Sequence, residues 1–155
     1  MYAVPTRREL LSRSAAAAGL LATAGLLPAA AQAAWNQTAF DAKSVADVMK
    51  ALGGSAPVES KDVSITGPDI AENGAVVPVV AATTLSGVKR LLVLVEKNPN
   101  TLAAVFDISD AVDASIGTRV KMGQSSNVYA VAVMADNKVL FAQKEIKVTL
   151  GGCGG

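Results

Sequence analysis

Apolar residues recur along this chain at two different periods, and the change between them marks the organisation of the fold. Ser44 followed by Asp47 has the form of a helix-capping box, and Val45, Val48, Met49 and Leu52 then repeat at helical spacing until Gly53-Gly54. That stretch predicts one short amphipathic helix. From Asp62 the period becomes two. Val63 and Ile65, Val77 and Val79, Leu91 to Val95, Leu102 to Phe106, and Ile116 to Met122 read as strands. Glu72-Asn73-Gly74 and Asn98-Pro99-Asn100 supply turn chemistry, and Ile108 to Ala114, with its two aspartates, reads as a connection. Val128 to Ala135 and Lys138 to Leu150 flank Asp136-Asn137, which predicts a closing hairpin with a two-residue loop.

About seven short strands without intervening helices exclude a parallel sheet, because parallel neighbours need long crossovers. The expected fold is all-β: an immunoglobulin-like antiparallel β-sandwich with a short N-terminal helix. Pro78 inside a strand pattern predicts an edge or a bulge, since proline cannot donate to a ladder. Leu91 to Val95 and Val128 to Met134 are apolar or small on both faces, so one outward face is a candidate for cover by a partner protein, the alternative being that Ala130, Ala132 and Ala135 are neutral surface.

Upstream lies a different kind of segment. Arg7-Arg8-Glu9-Leu10-Leu11 precedes a mild apolar run from Ala15 to Leu27, then Pro28 and Ala31-Gln32-Ala33. Basic start, apolar middle and small-residue end describe a secretory signal, and the arginine pair Arg7 and Arg8 points to the twin-arginine route, which moves folded proteins. The expected organisation is a signal over 1–33, a sandwich with its helix over 34–150, and a terminal arm over 151–155. Cleavage after Ala33 would leave a soluble periplasmic protein of 122 residues, because the apolar run is too short and too rich in Ala and Gly to span a membrane.

Composition narrows the chemistry. Without the leader, 11 basic residues face 12 acidic ones and aromatics are 4% of the whole chain, so neither a polyanion-binding surface nor base-stacking platforms are available, and nucleic acid is not an expected partner. Histidine is absent. This removes the usual zinc and blue-copper sites, the Ser-His-Asp triad and the Cys-His pair, and no cofactor is expected. The chemistry left is one thiol. Cys153 is the sole cysteine and stands among Gly151, Gly152, Gly154 and Gly155 at the carboxyl end. Glycines give no side-chain packing, so the sequence predicts a flexible tether reaching at most about 17 Å from Val148 to the sulfur. No cation or base adjoins Cys153 in sequence, and the terminal carboxylate disfavours a thiolate. An enzyme's nucleophile would need activation, whereas a carrier can rely on the active sites it visits. The residues therefore indicate a handle for covalent cargo. A covalent homodimer through Cys153 is the competing reading, and a metal chaperone using Cys153 with Met122 and Met134 has too few ligands.

The twin-arginine leader, Ala51-Leu52-Gly53-Gly54, the segment Pro68 to Gly74, Val76-Val77-Pro78-Val79, and the strand Lys144 to Leu150 running into Gly-Gly-Cys-Gly-Gly resemble the SoxY family, sulfur carriers of the periplasmic thiosulfate-oxidising Sox system. The resemblance covers essentially the whole mature chain. It implies a covalent carrier and not an enzyme, with Cys153 as the attachment point. The implied partners are a SoxZ-like subunit forming a heterodimer and lacking its own export signal, a c-type cytochrome that loads thiosulfate, a hydrolase that releases sulfate, and a sulfur dehydrogenase.

Overall fold

The computed structural model describes residues 6–9 and 36–151, and the chain divides into two compact units, Met1–Trp35 and Asn36–Gly155. In the first unit, residues 7–9 are helical. Thr6 and Glu9 cap each other: the Thr6 amide and hydroxyl donate to the Glu9 carboxylate at 2.9 and 3.0 Å, which holds that carboxyl below its ordinary range.

The second unit begins with two helices, α1 (Gln37–Asp41) and α2 (Val45–Ala51). The sequence pattern announces only α2, whose Ser44 hydroxyl accepts the Asp47 amide at 3.1 Å and donates to the Asp47 carboxylate at 2.6 Å. The helix stops where Gly53 turns left-handed at φ 71°, and the Gly53 and Gly54 amides return to the Lys50 and Met49 carbonyls.

Nine strands follow among the described residues: β1 (Val58–Glu59), β2 (Val63–Thr66), β3 (Ile70–Asn73), β4 (Val77–Thr83), β5 (Val88–Val95), β6 (Leu102–Asp107), β7 (Ser115–Val120), β8 (Ser126–Met134) and β9 (Val139–Leu150). They form two sheets, β2-β4-β7 and β1-β9-β8-β5-β6, with β3 also pairing β9. The fold is the expected sandwich, mostly strand with few short helices. Its pairings are antiparallel except at the free edge of β9, where β1 (Val58↔Leu140) and β3 (Ile70↔Lys147, Asn73↔Leu150) run parallel to it. Glu72 and Asn73 thus belong to a strand, and the turn begins at Gly74, two residues later than the sequence suggests.

Two clusters make the core. Leu91, Val93, Val95, Val128, Ala130, Ala132 and Ile146 of the large sheet meet Val63, Val77, Val79 and Ala81 of the small one. The opposite face of β5 and β8 carries Leu92, Leu94, Val131 and Val133, which pack with Ala39, Val48 and Met49. This corrects the expectation of a partner on that face. Its cover is supplied in cis by α1 and α2, whose Ala39 and Val48 are fully buried.

Pro78 lies in β4, the middle strand of its sheet, and not at a nominal edge. The proline is tolerated because β2 has left the ladder after Thr66↔Val80, so nothing pairs with β4 on that side at Pro78. A shallow groove of about 510 Å³ opens there, lined by Thr66, Pro68, Pro78, Val80, Gly117 and Arg119 on the outer face of the small sheet. The β8–β9 hairpin closes on Met134 and Lys138, so three residues form the loop and Asn137 alone is left-handed, at φ 65°.

Candidate functional site

Cys153, with Gly152, Gly154 and Gly155, lies outside the described residues. What the structure places is the root from which they depart. β9 keeps its pairing to Leu150, opposite Asn73 of β3. Side chains fasten β3 to β9 at both ends. Toward the start, the Lys144 ammonium donates to the Asp69 carboxylate at 2.8 Å and to the Gly67 carbonyl at 2.7 Å, while the Lys147 amide donates to the Asp69 carbonyl at 3.0 Å. The Lys144 hydrogen bond and charge hold the Asp69 carboxyl below its ordinary range. Toward the end, the Thr149 hydroxyl donates to the Glu72 carbonyl at 2.9 Å.

The last carbonyl of the strand is also used: Leu150 accepts from the Gly74 amide at 2.7 Å, and Gly74 in turn accepts from the Met122 amide at 2.7 Å. These bonds bring the 121–125 segment, which follows β7, against the end of β9. Ser125 receives the Val148 amide on its hydroxyl at 2.9 Å. Gly151 is half-buried, and a Cβ built on it would run into the Gly123 carbonyl oxygen. Only glycine fits so close an approach of two backbones. The root therefore consists of Gly74, Gly123 and Gly151, of which the sequence reading placed only Gly151 in the arm and took Gly74 for a turn residue. Gly123 and Ser125 gave no signal in sequence because their role is set by a fold-dependent approach.

Leu150 at the end of β9, Ile70 at the start of β3 and Val76 just past the Gly74 turn are among the most exposed large apolar residues described. Arg7 and Arg8, the proposed export signal, are exposed and belong to the other unit. Among the described residues there is no cluster of three or more His, Cys, Asp or Glu side chains that could hold a metal ion, and no helix is long and apolar enough to cross a membrane.

Known proteins resemble the chain at the level of this whole domain. The sequence model for "Sulfur oxidation protein SoxY" matches residues 48–153, a span that includes the thiol. The structure of the sulfur carrier protein SoxY from Chlorobium limicola f thiosulfatophilum is similar at 30% identity and TM-score 0.59, covering 66% of this chain and 93% of that one. A superoxide reductase (neelaredoxin) from Ignicoccus hospitalis shares the fold at 15% identity and TM-score 0.50, covering 56% of this chain and 78% of its own. No curated protein sequence matches significantly.

Proposed function

This chain belongs to the SoxY family of sulfur oxidation proteins, and from that premise we propose that it carries sulfur intermediates covalently on Cys153 and presents them to partner enzymes of thiosulfate oxidation in the periplasm. The observation that supports this most is the position of the thiol: a family match that runs to Cys153, on a glycine segment that leaves a closed sandwich at the end of its last strand.

The chemistry asked of the thiol is simple. Its thiolate joins the outer sulfur of thiosulfate in a new S–S bond, giving Cys–S–S–SO₃⁻ and releasing two electrons, which a c-type cytochrome accepts. Water then cleaves the bond to the sulfonate, leaving sulfate, two protons and the Cys–S–S⁻ persulfide, and a sulfur dehydrogenase oxidises the remaining sulfane sulfur. None of these steps needs a base, a metal or an oxyanion hole on the carrier, which fits a chain without histidine. The carrier contributes delivery. A SoxZ-like subunit is the proposed heterodimer partner. The outer face of β2-β4-β7, where Val80 is 39% exposed beside Pro78 and Gly117, is covered by no element among the described residues and can receive it. The leader with Arg7 and Arg8 would export the two together.

Intact mass of the exported protein, isolated without reductant after thiosulfate feeding, tests the proposal. Additions corresponding to sulfur or thiosulfate that vanish in Cys153→Ser are expected. A disulfide-linked homodimer as the sole species would replace the carrier with the competing reading of Cys153.

A further inference from the structure

The root of the arm is held by a side chain distant from it in sequence. Asn98, in the turn between β5 and β6, uses both ends of its amide on the 121–123 segment. Its Nδ2 donates to the Lys121 carbonyl at 2.6 Å, and its Oδ1 accepts the Gly123 amide at 3.1 Å. β7 ends at Val120, so these two bonds replace the ladder that the segment has just lost. The Gly123 carbonyl is the atom against which Gly151 rests. Met122, between the two bonded residues, is fully buried and donates its amide to Gly74, closing the circuit back to Leu150.

We infer that Asn98 is a positioning residue for the carrier arm: by fixing Gly123 it fixes Gly151, the residue from which the link to the thiol departs. The lever to the sulfur is then two residues, about 7 Å when extended, in place of the longer tether that the glycine composition suggests. A short lever confines the thiol to a small region and makes its aim depend on the direction in which the root points. The amide is specifically suited to this task. An aspartate could still accept from Gly123, but its carboxylate would meet the Lys121 carbonyl as acceptor against acceptor.

The inference rests on the carrier reading only where turnover is measured, and the test separates the two. In the wild-type protein, hydrogen exchange at the Gly123 amide should be slow, and fast exchange there overturns the inference whatever any variant does. A nitroxide attached to Cys153 should report wider motion in Asn98→Ala and Asn98→Asp than in wild type, and unchanged spectra in both overturn it. Reaction of Cys153 with a small aromatic disulfide reagent should stay within about twofold, since no activating group has moved. Turnover with the loading cytochrome and the sulfate-releasing hydrolase should fall about tenfold or more, because small misplacements of a reacting group are costly. In a background lengthened by two glycines after Gly152, Asn98→Ala should have little further effect on turnover. A loss of equal size in both backgrounds would mean that Asn98 merely stabilises the fold. A wild-type protein without Cys153-dependent turnover would sink the carrier reading instead, leaving the exchange and nitroxide measurements to decide the role of Asn98.

Discussion

Leu92→Ala tests whether the helices or a second protein cover the outer face of the large sheet. Leu92 is fully buried and belongs to the cluster closed by Ala39, Val48 and Met49. Truncation removes three carbons, worth about 2.4 kcal/mol at roughly 0.8 kcal/mol each, and the cavity adds to this, giving about 3 kcal/mol. For a domain of about 120 residues, an unfolding entropy near 0.25 kcal/mol/K makes each kcal/mol about 4 °C, so Tm should drop by about 12 °C. Urea titration of the mature chain alone, followed by far-ultraviolet circular dichroism, measures the change, with Val80→Ala as an exposed control expected to cost under about 0.5 kcal/mol. A loss under about 0.5 kcal/mol for Leu92→Ala would show that the face is open in the isolated protein and that the helices do not seal it.

The other expectations concern export, pH and capping. Replacing Arg7 and Arg8 by lysine should retain the chain, and any leaderless partner that travels with it, in the cytoplasm; fractionation showing normal periplasmic amounts would contradict this. Asp69 has its folded pKa depressed by Lys144, so it favours the folded state above the ordinary carboxylate value of 3.8, and the benefit disappears as pH falls through the depressed folded value. The Tm of wild type should therefore decline more steeply below about pH 4 than that of Asp69→Asn, and parallel curves would remove the ion pair from the account. Ser44→Ala should cost about 1 kcal/mol in urea unfolding, since the hydroxyl caps the first turn of α2, and an unchanged midpoint would show that the cap is idle.

The strands with buried faces were legible because one-sided burial writes a period of two into the sequence, as in Val77-Pro78-Val79. The short edge strands were not. β1 has two exposed residues and β3 exposes three of its four, so neither carries a pattern, and Asn73-Gly74 reads as a turn although Asn73 pairs with Leu150. Helix α1 buries only Ala39, and its one local sign was Asn36, whose side chain accepts the Ala39 amide at 3.0 Å. The apolar character of both faces of β5 and β8 was visible, yet its meaning depended on where Val48 and Met49 dock, which local periodicity does not specify. Likewise the glycine pentapeptide announced a tether, while Asn98 looked like an ordinary turn residue because its partners lie 23 and 25 residues away.

The parallel seam along β9 has a consequence for the order in which the protein can be completed. Its bonds join residues far apart in the chain: Lys144 to Gly67 across 77 positions and Thr149 to Ala71 across 78. β9 is also the last of the nine strands to be made and the partner of β1, β3 and β8 at once. A nascent chain on the ribosome thus lacks the piece that closes its edge and stays uncommitted until β9 has emerged, and contacts of such long range form slowly. The root of the arm, which needs Gly74, Asn98 and Gly123 already assembled around Leu150, comes into being only with that final closure. Placing the thiol directly after β9 makes a correctly rooted arm a record that the rest of the molecule has folded.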